Sequence, residues 1–225
     1  MRNACAIGLL LLLLAGCDDT EATRPGQTPR KTAAKPAAKR VVAPPPPQVA
    51  ADAFPDIPTA VAALAQRSAD KDLVGWREAS DWLALQGPPA VAPLQTVVDD
   101  SQSDIRAQIN AIYALSQIGP PAAPALLQIL SSHPTKKVRL NAIDKVALID
   151  PSSAAIVKAL VGLLDHQDDE FRRTAVNALG VIGEPAGASA DRLVAILNNP
   201  KENDSLRGAA KVALKKVNPR HTFLD

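Results

Sequence analysis

Five alanines constrain the fold of this chain more than any other feature: Ala79, Ala111, Ala142, Ala175 and Ala210 recur at spacings of 32, 31, 33 and 35 residues. Such a period is the mark of a repeat architecture. Four residues after each alanine stands Leu83, Leu115, Val146, Leu179 or Leu214, which places the pair on one face of a helix. Eight residues after each alanine come Gly87, Gly119, Asp150, Gly183 and Asn218, residue types that tolerate a left-handed helix end. Proline follows within two positions each time, where it can begin a helix but not continue one. Second helices are predicted from Leu94/Val97/Val98, Leu126/Ile129/Leu130, Leu160/Leu163/Leu164 and Leu193/Ile196/Leu197, an i, i+3, i+4 stripe typical of a core-facing helix. Each unit reads as helix, tight turn, second helix. Ile57 to Arg67 reads as one further helix capping the array, and only a short tail follows Asn218. An aromatic content of 3% agrees with helices rather than sheets.

The segments DIRAQINAIYALSQIG, KKVRLNAIDKVALID, EFRRTAVNALGVIG and SLRGAAKVALKKVN resemble HEAT repeats in the short form also found in phycobilisome lyases. The resemblance covers about residues 73 to 218 and implies an all-α fold, a right-handed α-solenoid of about five helical hairpins. It also implies a ladder of Asp and Arg joining neighbouring repeats, for which Asp104/Arg106, Asp169/Arg172 and Asp204/Arg207 qualify. Arg139 fits without its aspartate, with Thr135 in that place, and Arg106 stands two or three positions out of register. A lone hairpin cannot bury its apolar stripe, whereas stacked hairpins share a continuous core. Stacking builds a surface rather than a catalytic cleft, so the chain is expected not to be an enzyme.

The residues offer little chemistry against that expectation. His133, before Pro134, and His221, in the tail, read as solvated. The run His166-Gln167-Asp168-Asp169-Glu170 gathers one imidazole and three carboxylates, but acidic residues there also suit the cap and positive end of the next helix. The expectation is therefore no metal, no cofactor and no catalytic residue. Trp82 stands where Ala114, Ala178 and Ala213 stand in other repeats and is expected to fill a gap against the capping helix. The alternative is that Trp76 or Trp82 is an exposed aromatic anchor for a partner.

Ahead of the repeats the chain changes character. Arg2 and the apolar run Ile7 to Leu14 form a signal peptide, too short for a membrane span of about 20 residues. Leu14-Ala15-Gly16-Cys17 looks like the lipobox of bacterial lipoproteins. That resemblance implies cleavage between Gly16 and Cys17, and a diacylglyceryl group, with the palmitate typical of such anchors, on the Cys17 sulfur. Asp18 is similar to the signal that retains enteric lipoproteins in the inner membrane. Residues 17–53 are rich in Pro, Ala and Lys, end in Pro44 to Pro47 and lack the apolar side chains to bury. They are read as a tether with a reach of about 30 to 35 Å. The array is assigned to 54–225.

Charge follows the same division. Between Thr20 and Asp52 there are six basic and two acidic residues, and from Phe54 onward 18 basic and 19 acidic. A near-neutral array carries no footprint for nucleic acid. The expected function is a lipid-anchored scaffold facing the periplasm that holds a protein partner of unknown identity. The partner is expected along the second helices, whose exposed residues, such as Thr96, Gln128, Lys158 and Arg192, form no stripe, so the binding residues are left unknown. The alternatives are an envelope spacer whose tether binds cell wall, and a chromophore lyase or isomerase like the phycobilisome enzymes.

Overall fold

The computed structural model describes residues 49–72 and 74–220. The signal peptide, Cys17, Leu73, His221 and nearly all of the tether lie outside the described residues. What is described folds into ten α-helices joined by short 3-10 turns, with no strand among the described residues. They are α1 (Ile57–Ala69), α2 (Gly75–Gln86), α3 (Val91–Asp99), α4 (Ile105–Ile118) and α5 (Ala123–Ser132) in the first half. Then follow α6 (Lys136–Ile149), α7 (Ala154–Gly162), α8 (Asp169–Ile182), α9 (Ala190–Asn198) and α10 (Asp204–Val217). This is the all-α solenoid of HEAT-like repeats that the periodicity predicts.

The five aligned alanines and the five residues four positions on are all fully buried. They lie on α2, α4, α6, α8 and α10, and Leu94, Leu126, Leu160 and Leu193 meet them from α3, α5, α7 and α9. One continuous apolar core results. Burial of a leucine or valine side chain contributes about 1.5–3 kcal/mol, so packing alone can hold the array.

The hairpins are phased differently from expectation. Each odd helix packs along the even helix that follows it, so the units are α1/α2, α3/α4, α5/α6, α7/α8 and α9/α10. Helix α1 is thus not an added cap but the first half of the first hairpin, and the Gly-Pro turns join one hairpin to the next. The hairpin turns proper are the polar loops that end in the helix caps Asp104, Thr135, Asp168 and Asn203, each seven residues before its aligned alanine. Asp104, Asp168 and Asn203 accept backbone N–H groups of the first turn at 2.7 to 2.9 Å, satisfying donors that a helix start leaves open.

The turns between hairpins also depart from the left-handed helix end. Gly87, Gly119 and Gly183 have φ of 67°, 84° and 75° with ψ of −139° to −144°, near a region open to little but glycine. Asp150 and Asn218 at the same register are extended instead, with φ of −152° and −134°. A side chain with a Cβ avoids the glycine geometry, which is why one position carries two conformations.

The ends of the array are closed in different ways. At the first hairpin no even helix precedes α2 among the described residues, and Trp82 fills the space. Its ring is 5% exposed and meets Phe54 edge-on at 5.6 Å, and its Nε1 donates to the Ala51 carbonyl at 2.8 Å. The packed unit therefore reaches back past residue 54 to Val49 and Ala53, which rest on the core. At the last hairpin, Lys211 and Lys215 are exposed where the earlier even helices place Ser80, Ile112, Ile143 and Val176, or Ala84, Ser116, Ala147 and Gly180, toward the next hairpin. Polar end repeats are what a soluble solenoid requires.

Candidate interaction face

Successive even helices pack closely on one another, whereas successive odd helices barely touch. Small residues make the close approach possible: a methyl group built on Gly180 of α8 would lie 3.1 Å from Cα and Cβ of Ala213 on α10. Gly180→Leu is accordingly expected to force α8 and α10 apart and cost about 1–3 kcal/mol, measured by urea denaturation. In an array with one tight and one splayed row, the tight row lies on the inside of the curve. The inner face is therefore that of the even helices, and the second helices of the sequence reading form the outer row. Thr96, Gln128, Lys158 and Arg192 are exposed as expected, but on the outer row. There Thr96 bonds the Ala92 carbonyl, Gln128 accepts from Gln95 at 3.1 Å, and Arg192 pairs with Asp165.

Four positions per even helix face inward: two and one before the aligned alanine, and two and six after it. They carry Arg77, Glu78, Asp81 and Leu85 on α2, and Ile109, Asn110, Tyr113 and Gln117 on α4. On α6 they are Leu140, Asn141, Asp144 and Leu148, on α8 Arg173, Thr174, Asn177 and Val181, and on α10 Gly208, Ala209, Val212 and Lys216. All twenty are at least partly exposed. Near the first hairpins Trp76 meets Tyr113 edge-on at 5.5 Å, and Arg77 and Lys145 lie 5.8 and 5.5 Å from the Tyr113 ring centre, within range of a cation–π attraction. Surrounding protein raises the Asp81 carboxyl above its usual value, partly opposed by Arg77. It does the same at Asp144, opposed by Lys145, although that side chain is open to solvent. A group at once exposed and crowded suits the inside of a curve.

The polar residues singled out in the sequence are largely engaged in joining hairpins. Arg172 binds Asp169 at 2.5 Å and Glu202 of the next loop at 2.9 Å, Asn203 donates to Asp169 at 2.7 Å, and Arg207 pairs with Asp204. At the third hairpin the ladder has another form: Lys136 reaches Asp168 at 2.5 Å and Glu170 at 2.8 Å. Arg139 donates to the Leu130 carbonyl at 2.9 Å and lies 4.5 Å from the ring centre of Phe171. The Arg106 guanidinium comes no closer than 3.8 Å to the Asp104 carboxylate, and the arginine register is held by buried Gln108, which donates to the Asp100 carbonyl at 2.9 Å. Gln108 was missed; its place three residues before Ala111, matching Arg139, Arg172 and Arg207, is the signal that finds it.

The carboxylates of the 166–170 run are thus taken up by Lys136 and Arg172, with Asp168 also capping α8, while the His166 ring rests on Phe171 at 4.2 Å. The ammonium group of Lys136, followed by the Glu170 N–H, holds the Asp168 carboxyl below its usual value of 3.8. This contact favours the fold above the ordinary carboxylate range and is lost as pH falls through the lowered value. Lys136→Met is expected to move the Asp168 titration upward in a carbon-detected NMR experiment; an unmoved titration would show the pair to be absent in solution.

His133 is not solvated as expected but 7% exposed. Its Nδ1 accepts from the Thr135 N–H at 3.1 Å and its Nε2 donates to the Val98 carbonyl of the previous hairpin at 3.0 Å. His166 stands at the same register, nine residues before its alanine, and its Nδ1 accepts from the Asp168 N–H at 3.0 Å. The two histidines share the contact to the N–H two residues on, and His133 alone is shown reaching the previous hairpin.

Comparison with known proteins agrees with this architecture. The model of HEAT repeats matches residues 123–215, and that of the PBS lyase HEAT-like repeat matches 107–132. The uncharacterized phycocyanin operon protein Z of Pseudanabaena tenuis is 39% identical over 85 residues, which span 38% of this chain and 39% of that protein. The structure of the complex of CpcE and CpcF of phycocyanin lyase from a Nostoc species includes a chain similar in fold, with a TM-score of 0.55 and 20% identity. The similarity covers 70% of this chain and 96% of that one.

Proposed function

We propose that the chain is a binding scaffold, an envelope lipoprotein whose HEAT-like array holds a protein partner while Cys17 carries the lipid that keeps it at the membrane. The observation that supports the scaffold reading is the inner face: although Glu78, Asn110, Asn141 and Thr174 bond within the fold, the five closely packed even helices leave Leu85, Leu148, Arg173, Asn177, Val181, Val212 and Lys216 exposed on one side. The lipid reading rests on Leu14-Ala15-Gly16-Cys17 and the tether behind it; a diacylglyceryl group supplies the two chains that stable anchoring takes. Asp18 favours retention in the inner membrane, facing the periplasm. The full-length protein, solubilised from its native membrane and pulled down, is expected to bring with it one stoichiometric protein; a clean blank would abandon the scaffold in favour of an envelope spacer. Cys17→Ser is expected to abolish palmitate labelling and leave the precursor uncleaved, whereas normal labelling would remove the anchor assignment.

A second reading has its own support. The PBS lyase HEAT-like repeat and the phycocyanin operon relative favour a role resembling a phycocyanin lyase, with phycocyanin as the protein held. Co-production with phycocyanin subunits and a bilin distinguishes the two. Covalent attachment that depends on this chain would establish the lyase, and its absence leaves the scaffold.

A further inference from the structure

Leu148, Val181 and Val212 are 54%, 46% and 57% exposed, three of the five large apolar side chains most open to solvent among the described residues. All three lie on inward-facing positions of consecutive even helices, α6, α8 and α10, beside Gly208 and Ala209, whose small side chains leave the face hollow. A cluster of this kind on a soluble protein marks a contact surface. Its rim carries Lys145, Arg173 and Lys216, none of which forms an ion pair among the described residues. The acids nearby are Asp144, beside Lys145, and Asp169 and Glu170, which share a hollow with Arg173 but are bound to Arg172 and Lys136. Cations are therefore in excess around an apolar centre.

We infer that hairpins three to five seat an amphipathic helix of a partner protein, its apolar stripe laid across Leu148, Val181 and Val212 and its flanks acidic. The spacing supports a helix: neighbouring packed helices lie about 8–10 Å apart, and a helix rises about 10 Å in seven residues. Anchors at i, i+7 and i+14 thus meet three successive even helices, while flanking carboxylates meet Lys145, Arg173 and Lys216. This inference rests on the scaffold reading but is narrower, since a scaffold can bind elsewhere.

The test places the photocrosslinker benzoylphenylalanine at Val181 or Val212 on the patch, and at Gln128 or Lys158 on the outer row, in the full-length protein in its native host. The expected result is one crosslinked protein from the two inner positions, whose captured peptide is helical in pattern and flanked by Asp or Glu. The variant Leu148→Asp/Val181→Asp is expected to lower co-purification of that protein at least tenfold with the thermal midpoint unchanged, while Gln128→Asp leaves it intact. A basic peptide, a lipid or this chain itself at the inner positions would overturn the inference. Crosslinks from the outer row alone would overturn it too and leave the scaffold standing; no crosslink at any of the four would end both.

Discussion

Trp82→Ala lowers the stability of the array by about 3–5 kcal/mol, the usual cost of removing a buried tryptophan. The residue closes the open side of the first hairpin, so its removal uncovers Phe54 and leaves the Ala51 carbonyl without its donor. Hairpins in a solenoid are supported mainly by their neighbours, which makes the damage local. Hydrogen exchange is expected to quicken in α1 and α2 and to stay near its original rate in α8 and α10. A loss below about 1 kcal/mol would mean that the 49–54 segment is not seated on Trp82 in solution. An even loss of protection along all ten helices would mean that the array unfolds as one cooperative block.

His133→Ala is the second large effect. The imidazole is the only partner shown for two backbone groups in neighbouring hairpins beyond their own helices, the Val98 carbonyl and the Thr135 N–H. The Val98 carbonyl left unpaired in a buried place costs about 1–3 kcal/mol, the part-buried Thr135 N–H costs less, and a cavity adds to both. An expected loss of about 2–4 kcal/mol is read from the shift in urea midpoint at constant slope. His133→Gln, which can still accept and donate, should recover part of it. If alanine and glutamine behave alike, the ring contributes by volume and not by its hydrogen bonds.

The core was legible because one packing demand is made five times. Ala111 and Leu115 say little alone, but with Ala142 and Val146 or Ala175 and Leu179 they fix the helix face and the period. The pairing into hairpins was harder, since Gly119-Pro120 looks like the bend of a hairpin. Which of two flanking helices packs more fully on its neighbour is decided in three dimensions. The inner row had a signal that went unread: Ala114, Ala147, Ala178, Gly180 and Ala213 are small on faces where even helices meet, and small side chains let helix axes approach. His133 was misread from its local neighbour Pro134, although its register matches His166. The apolar patch was hidden for a similar reason. Leu148 and Val181 look like core residues in any apolar count, and only the position six after the alanine sets them on the open face.

Lys211 and Lys215 set the outer face of α10 apart from those of the earlier even helices. Interior units are interchangeable in principle, since each presents the same kind of apolar edge to the unit before and the unit after. The tenth helix breaks that equivalence, because a hairpin laid against it would have to cover two lysine side chains where the earlier even helices offer small or apolar ones. Stacking of a second copy against this face would bear the cost of desolvating those charges. An extra unit of 31 to 35 residues is accordingly expected to fit more readily between existing hairpins than against α10.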